Sequence, residues 1–352
     1  MVNFSISCRK ECNVPCYYKR DSALRIICNK KIRFINNTIV KSMIKEYISK
    51  LIDNIPLVKN KKREKMDLIM DGGMFNGSYL IGCLYFLREL ENRKYIKICN
   101  ISGCSISSIT GLLYLLNMLT LASEVYNEAY EIMKKEKDII NIDFILDKIR
   151  EKSPDNICEI VNKKLYISYY DLKVDKKIVK CKYTNIDDVL ETIKRSCYVP
   201  ILLDKNILYK NRYIDGITPH IFRINNCSRR VLYLDLLGYD KFYDVISIKN
   251  EKTNLHRILN GLLDIHLFYL KQKQTIMCSY VNNWSFINNA YYHFVRAIAE
   301  KIIYYTIYFY YFIKNKMMTR EMLEYFDNSY IFKILINFKL YLRNYFIKTY
   351  CF

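Results

Sequence analysis

Glycine, proline and histidine are scarce in this chain of 352 residues, and no long apolar run is present. With nine glycines and five prolines, few irregular loops are expected, so a cluster of glycines marks a turn with special backbone geometry. Four histidines leave few candidates for an imidazole base or a metal ligand. The nearest approach to a membrane span, Ile302–Ile313, is too short and is flanked by Lys301 and Lys314, which excludes a transmembrane helix there.

Basic residues outnumber acidic residues by 56 to 35, which gives a net charge of +21. Such an excess attracts polyanions, either nucleic acid or an anionic lipid surface. The basic residues are spread along the whole chain, so a solvated lysine-rich surface explains them equally well. Because no nucleic-acid-binding motif accompanies them, no specific nucleic acid is expected as a partner.

Thirteen cysteines are scattered along the chain, and its first residues lack the apolar core of a secretory signal. An odd number of scattered cysteines fits a reducing compartment better than a disulfide framework. Cys8, Cys12 and Cys16 are spaced four apart, which is not the spacing of a zinc knuckle. We therefore expect a cytoplasmic protein without a metal site, which associates with a membrane only peripherally.

Hydrophobic periodicity divides the chain into three parts. Residues 1–65 form a basic extension with a helix at 41–54 and a charged linker at 59–63. Residues 66–250 alternate short apolar runs with helical ones. Residues 251–352 have the pattern of aromatic, basic helices. Alternating strands and helices predict an α/β fold of three layers, in which helices flank a mostly parallel sheet. The last part is then a helical C-terminal extension.

Individual strands and helices of the central part are predicted from short apolar runs and from helical spacing. The predicted strands cover 67–70, 96–102, 166–174, 178–183, 209–214 and 230–237. The predicted helices cover 78–91, 106–121 and 187–196, together with helical segments between 123 and 164.

A strand-to-helix junction at Gly103-Cys104-Ser105-Ile106-Ser107 is the strongest local signal. Small residues flank Ser105, as a nucleophile elbow requires, because the backbone passes close to the serine at a sharp turn. The helix that follows would place free N–H groups and a partial positive charge beside the serine. Taken alone, the same pattern is also that of an ordinary helix cap.

Two further turns carry groups that a serine nucleophile needs. The segment Asp71–Gly77 follows a strand and opens a helix, so its N–H groups can converge on an anion such as the oxyanion of an acyl transfer. A tight turn or a phosphate loop is the alternative, although no Walker A sequence follows. The segment Asp215-Gly216 ends another strand, and a partly desolvated carboxylate can act as the base of a serine.

Together the three turns resemble the motifs of the patatin-like phospholipase family, which has an Asp-Gly-Gly-Gly-x-Arg-Gly loop, a Gly-x-Ser-x-Gly elbow and a later Asp-Gly-Gly/Ala. The intervals are similar as well, since Ser105 follows Asp71 by 34 residues and Asp215 follows Ser105 by 110. Two flanking segments also match the family, the helix at 77–87 and the segment at 195–200.

The resemblance implies a patatin-like fold and a Ser–Asp dyad, in which Asp215 is the base for Ser105 and an acyl-enzyme forms. It implies an oxyanion hole at the N–H groups of Gly72, Gly73 and Met74, and it requires no cofactor. The implied substrate is a membrane phospholipid or another acyl-ester lipid; no oligomeric state is predicted. The residues that support the motifs are then Asp71, Asn76, Gly77, Gly103, Ser107 and Gly216.

Four positions depart from the family pattern. Met74 stands in place of the third glycine of the loop, Asn76 in place of its arginine, Ser107 in place of the last glycine of the elbow, and Ile217 in place of glycine or alanine. Loss of a donor or a charge beside the oxyanion would cost roughly 2–4 kcal/mol in the transition state. A catalytically impaired lipid-binding or scaffold protein is therefore the main alternative.

The C-terminal part interleaves Tyr, Phe, Ile and Leu with Lys and Arg between 287 and 349. A basic amphipathic helix can lie in a membrane interface, and the same pattern also fits helices that pack on a core. We expect core packing for 287–313, and both interpretations stay open for 330–349. A Ser–Asp–His hydrolase that uses His256 or His266 is a further alternative to the dyad.

Overall fold

The computed structural model describes residues 42–55, 63–139, 141–200, 202, 206–222, 229–238, 241–249, 251, 253–285, 289, 291–312, 337 and 340–351. The three N-terminal cysteines, most of the predicted linker and most of 330–339 lie outside these residues. The chain divides into two compact units, Met1–Lys50 and Leu51–Phe352. The described residues of the first unit, 42–50, are helical.

A seven-stranded sheet forms the centre of the second unit. Its strands, in chain order, are β1 (Glu64–Met70), β2 (Ile96–Cys104), β3 (Leu165–Asp171), β4 (Lys176–Lys180), β5 (Tyr213–Asp215), β6 (Arg230–Leu234) and β7 (Cys278–Tyr280). Strands β6, β1, β2 and β3 are parallel neighbours, and the antiparallel strands β7 and β4 flank them. Successive residues of β1 are buried from Met66 onward, which means that both faces of the sheet are covered.

Helices account for most of the remaining described residues. They are α1 (42–53), α2 (Gly77–Asn92), α3 (Ile106–Leu115), α4 (Leu119–Glu136), α5 (Ile142–Lys152), α6 (Ile157–Val161), α7 (Ile186–Ser196), α8 (Phe242–Ile246), α9 (Leu255–Lys271) and α10 (Tyr291–Phe312). A further helical stretch covers 340–346 and ends in a π-helical turn, Ile347–Cys351. Within the described part of the chain, no helix combines the length and the hydropathy that crossing a bilayer requires.

The helices α2 and α9 meet at a close backbone contact made by two glycines. A Cβ atom on Gly82 would lie 1.9 Å from the carbonyl oxygen of Ile258, and one on Gly261 would lie 2.0 Å from that of Tyr79. No side chain fits at either position, so the two backbones approach more closely than other residues would permit. This contact holds α9 against the helix that follows the Asp71–Gly77 loop.

The pairing of β5 explains how Asp215 comes to lie near Ser105. Strand β2 pairs with one edge of β3 and ends where Cys104 lies opposite Ser168. Strand β4 occupies the other edge, so β5 continues along the edge that β2 has left, with Asp215 opposite Tyr169. The end of β2 and the end of β5 therefore meet at consecutive positions of β3.

The predicted α/β architecture is confirmed: helices flank a mostly parallel sheet in a three-layer arrangement. Three details differ. The predicted helix at 106–121 is two helices, because Asn117 adopts a left-handed conformation with φ 57° between them. The predicted strand at 209–214 is shorter and ends at Asp215, and strand β7 was not predicted, since three residues are too few to show a periodic pattern.

Helix α10 packs against the rest of the second unit through polar and apolar side chains. Arg296, Glu300 and Tyr304 are four residues apart and largely buried, whereas Phe294 and Phe309 are each 62% exposed. The prediction of core packing for 287–313 therefore holds for one face of this helix only, and that face combines polar side chains with the apolar contacts of Tyr304, Ile307 and Tyr311.

Candidate active site

Ser105 occupies a sharp turn between β2 and α3. Its backbone has φ 53° and ψ −134°, a left-handed conformation that costs an L residue roughly 1–2 kcal/mol. Two hydrogen bonds hold the turn: the Ser105 N–H donates to the Ser196 hydroxyl at 2.9 Å, and the Ser108 hydroxyl donates to the Ser105 carbonyl oxygen at 2.6 Å. This strand–turn–helix geometry is that of a nucleophile elbow.

Gly103 and Ser107 support the same turn. A Cβ atom on Gly103 would lie 2.9 Å from the carbonyl oxygen of Ser107, so a larger residue would displace the start of α3. The buried Ser107 hydroxyl accepts a hydrogen bond from the Cys104 N–H at 2.9 Å and lies 2.9 Å from the Met70 carbonyl oxygen. Ser107 thus connects the ends of β1 and β2, which is a structural role for the departure from glycine at this position.

The Asp215 carboxyl group faces Ser105. The Ser105 side chain lies near enough to this carboxyl group to lower its pKa, and the Ile217 N–H donates to its Oδ1 at 2.8 Å. Burial raises the pKa of Asp215 from 3.8 to about 6, and the Ser105 side chain, the Ile217 N–H and the charge of Lys177 limit the rise. Near neutral pH the carboxylate is mostly ionised, and it is more basic than an exposed aspartate.

A polar network that includes side chains of α10 contacts the backbone of the Asp215 turn. The Tyr304 hydroxyl lies 2.9 Å from the carbonyl oxygen of Asp215 and 3.1 Å from the carboxylate of Glu300. Lys177 forms an ion pair with Glu300 at 2.8 Å, and both residues contact the Thr218 hydroxyl. These side chains hold the turn without touching the Ser105 hydroxyl themselves.

The Asp71–Gly77 loop lies against both other turns. A Cβ atom on Gly72 would lie 3.4 Å from the Cβ of Ser105 and 3.4 Å from the carbonyl oxygen of Ile217. Gly216 is more tightly confined, because a Cβ atom there would lie 2.2 Å from the Ser168 carbonyl oxygen. The three turns singled out in the sequence therefore meet at one place.

The predicted oxyanion donors differ in their availability. The Gly72 N–H donates to the Asp71 carboxylate at 2.9 Å, which occupies it. The N–H groups of Gly73 and Met74 have no acceptor among the residues that the structure describes. The same holds for Ile106, the first residue of α3, whose N–H is free because a helix leaves its first amides unpaired.

Asp71 is held by an ion pair that the sequence did not reveal. Both of its carboxylate oxygens accept hydrogen bonds from the Arg296 guanidinium, at 2.6 and 2.9 Å. The side chain of Asp71 is completely buried and that of Arg296 is 13% exposed. The pair fixes the carboxylate that in turn holds the Gly72 N–H.

Replacing Arg296 with methionine is expected to lower the free energy of unfolding by about 3–5 kcal/mol, because it leaves the Asp71 charge buried without a partner. The matched control is Arg230→Met, since Arg230 pairs with Glu64 at 3.3 Å and is half exposed; its loss should stay below about 1 kcal/mol. Urea unfolding measures both. Equal losses in the two variants would contradict a role for the buried charge pair.

Asn76 was expected to deprive the loop of a positive charge, and in the structure a guanidinium from another helix, which is paired with Glu251, contacts its side chain. The buried Arg257 of α9 donates to the Asn76 Oδ1 at 2.7 Å, while the Asn76 amide donates to the carbonyl oxygens of Leu236 and Lys241 at 2.8 and 3.0 Å. An asparagine is short enough to leave room for a guanidinium that comes from another helix. Two arginines, at 257 and 296, thus contact this loop.

Two of the departures from the family pattern lie at left-handed backbone positions. Met74 has φ 32° and Ile217 has φ 52°, a region that glycine enters freely and that is strongly unfavourable for a β-branched residue. A glycine at these two positions thus has a conformational reason. Strain at two positions beside a candidate nucleophile is also common in active sites.

Ser105 lines an apolar cavity of about 170 Å³. The walls come from the loop, from helices α2, α3, α4 and α5 and from residues 197, 199 and 202, and they contain few polar groups. The apolar lining residues of α3, α4 and α5 include Ile106, Ile109, Leu113, Val125, Ala129, Met133, Ile142, Ile145 and Ile149. A cavity of this chemistry accommodates a hydrocarbon chain.

No histidine is among the residues that line this cavity. His266 packs edge-on against Phe86, and His256 is half exposed at 3.5 Å from Glu251. Among the described residues, no cluster of three or more His, Cys, Asp or Glu side chains could hold a metal ion.

One solved structure with detectable similarity is that of VipD from Legionella pneumophila. The match has a TM-score of 0.26 and 13% sequence identity, and it covers 52% of this chain and 55% of that chain. This chain thus matches only about half the length of VipD, and a likeness at this level carries no argument about the site. No protein-family model and no curated protein sequence matches the chain.

Several residues around the site were not predicted from the sequence. Ser196 lies in a segment that was noted only for its resemblance, yet its hydroxyl binds the Ser105 N–H. One sequence pattern could have identified three more of them: polar residues at intervals of four within an aromatic helix, at Arg296, Glu300 and Tyr304. That spacing indicates a polar helix face, although it does not reveal what the face contacts.

Proposed function

We propose that this chain is a serine hydrolase of lipid acyl esters, of the kind found among patatin-like phospholipases. One observation carries the proposal: the Ser105 side chain, held at a strained turn, lies beside the buried carboxyl group of Asp215 and lowers its pKa. The apolar cavity beside Ser105 favours a substrate with a hydrocarbon chain over a polar ester. Membrane phospholipid is the substrate class with this chemistry that we expect.

In the first half of the reaction, Asp215 accepts the hydroxyl proton of Ser105 while the serine oxygen bonds to the ester carbonyl carbon. The carbonyl oxygen becomes an oxyanion, and the unpaired N–H groups of Gly73 and Met74 are the donors that we assign to it. The partial positive charge at the start of α3 adds to this stabilisation. When the C–O bond breaks, Asp215 returns the proton to the leaving alcohol, and an acyl-enzyme remains on Ser105.

In the second half, Asp215 takes a proton from a water molecule, which attacks the acyl carbon of the ester to Ser105. The acyl–oxygen bond breaks, the proton passes to the serine oxygen, and the fatty acid is released. A carboxylate with a pKa of about 6 suits both proton transfers, since it is ionised near neutral pH and is a stronger base than an exposed aspartate.

Covalent trapping by a fluorophosphonate with an alkyl chain tests the proposal directly. The serine oxygen displaces fluoride from phosphorus, so peptide mass mapping should find the label on Ser105. The labelling rate should rise with pH and level off above a midpoint of about 6, because Asp215 must be ionised to act as the base. A label on other serines only, or a rate independent of pH between about 5 and 8, would contradict the dyad.

A lipid-binding protein without turnover is the second candidate, and one observation favours it. The Gly72 N–H is occupied by Asp71, so the oxyanion hole has one donor fewer than the family resemblance implies. Loss of one donor costs roughly 2–4 kcal/mol in the transition state. Saturable binding of a fluorescent fatty acid together with the absence of labelling at Ser105 would decide for this alternative.

A further inference from the structure

Helix α10 exposes a continuous apolar stripe on the side that faces away from the candidate site. Phe294, Ile298, Ile302, Tyr305 and Phe309 are 62%, 43%, 60%, 56% and 62% exposed. Their spacing of four, four, three and four residues places them along one face of the helix. We call this set the outer stripe. Soluble monomers rarely leave so many large apolar side chains contiguous and exposed, so the stripe is expected to bind a partner surface.

The charges on α10 favour an anionic occupant. Its one carboxylate, Glu300, is 5% exposed and is paired with Lys177 on the inner side, while Lys301 is exposed beside the stripe. The outer surface of the helix therefore presents apolar and aromatic groups without a negative charge. The net charge of +21 adds a long-range attraction to anionic surfaces.

We propose that the outer stripe docks on an anionic phospholipid surface, with α10 lying in the plane of the interface. Tyrosine and phenylalanine suit the boundary between headgroups and acyl chains, and a basic, amphipathic helix binds there through apolar burial and charge together. A helix of 22 residues offers about 33 Å of length to such a surface. The docking stands on the geometry of α10, whereas its purpose, access to membrane esters, rests on the proposed function.

The inner side of the same helix contacts both halves of the candidate site. Arg296 binds Asp71 in the loop, and Tyr304 binds the carbonyl oxygen of Asp215. A protein docked through the outer stripe would therefore hold its nucleophile at a fixed position relative to the lipid surface.

Vesicle co-sedimentation of full-length protein that carries Ser105→Ala tests the docking separately from turnover. The comparison is between phosphatidylcholine vesicles with and without phosphatidylserine. The test variant adds Phe294→Ser, Ile302→Ser and Phe309→Ser. The matched control instead adds three serines at exposed leucines of α9, Leu263, Leu267 and Leu270, and thermal unfolding checks that every variant is folded.

We expect binding to vesicles that contain phosphatidylserine, weaker binding without it and weaker binding at high salt. The outer-stripe variant should bind at least about tenfold more weakly, and the α9 variant should bind as the parent does. Absence of binding by the parent, or equal binding by both triple variants, would overturn the proposal. A parent dimer that the stripe variant converts to a monomer in light scattering would assign the stripe to a second copy of the chain instead.

Discussion

Replacing Ser105 with alanine is expected to lower kcat for acyl-ester hydrolysis by about 10⁴-fold or more, because no other group can form the acyl-enzyme. The free energy of unfolding should change little. Alanine keeps the left-handed backbone that Ser105 adopts, and only the contact between the Ser105 hydroxyl and Asp215 is lost. Steady-state hydrolysis of a medium-chain ester, measured with urea unfolding of the same samples, checks both expectations.

The matched control for that substitution is Ser102→Ala, three residues earlier in β2. The Ser102 hydroxyl is buried and has no hydrogen-bond partner among the described residues. Its removal therefore makes the same chemical change as Ser105→Ala, close in the chain, without altering the dyad. Activity should stay within about threefold of the parent. If both alanine variants retained activity, the nucleophile would have to be another group.

Replacing Asp215 with asparagine is expected to have opposite effects on activity and on stability. Hydrolysis should fall by about 10³- to 10⁴-fold, because an amide cannot accept the serine proton. Stability should increase at pH 8 by up to roughly 3 kcal/mol, which is the cost of ionising a carboxyl group whose pKa is raised from 3.8 to about 6 by burial. Activity assays and denaturant unfolding at several pH values separate the two effects.

The pH dependence of that stability gain has a defined sign. In the native state Asp215 binds its proton more tightly than in the unfolded chain, so the parent loses stability as pH rises from about 4 to 6. The asparagine variant lacks this loss, and the difference between the two should vanish below about pH 4 and be constant above about pH 7. A gain that is independent of pH would contradict the assigned pKa.

Asp235→Asn provides the matched control for the second substitution. Burial and the neighbouring charge of Asp71 raise the pKa of Asp235 to about 7, so removal of its charge should also stabilise the protein at alkaline pH. Asp235 does not line the cavity that Ser105 lines, and hydrolysis should persist. Loss of activity in both asparagine variants would show that the effect at Asp215 is not specific to the base.

The sequence predicted those parts of the fold and the site that depend on short segments. Alternating apolar runs and helical patterns predict the layered α/β architecture, because burial of a strand or of one helix face shows in local spacing. The turn at Ser105 shows equally well, since a sharp strand-to-helix junction requires small neighbours such as Gly103. The prediction that this turn and the Asp215 turn lie together required the family resemblance, because no local pattern reports a contact between residues 110 positions apart.

Tertiary packing decided the parts that could not be predicted. The guanidinium beside Asn76 comes from Arg257, which reaches the loop only because two glycines let α2 and α9 approach closely. The partner of Asp71 comes from Arg296, more than 200 residues away. In both places the local sequence showed only an isolated polar residue. The partner of that residue belongs to a helix that is distant in the chain, and no local pattern predicts where that helix packs.

The register of β5 against β3 has a consequence for chain-length variation. Asp215 lies opposite Tyr169 of β3, and its N–H donates to the carbonyl oxygen of Tyr198 at the start of the connection between α7 and β5, at 3.1 Å. Residues added or removed between Tyr198 and Tyr209 should therefore leave the dyad in place, whereas a single residue inserted within β5 would rotate the carboxylate to the opposite side of the sheet. Homologous chains that have this site would then differ in the length of the connection and agree in the length of the strand. A comparison of these two lengths among homologous chains tests the expectation.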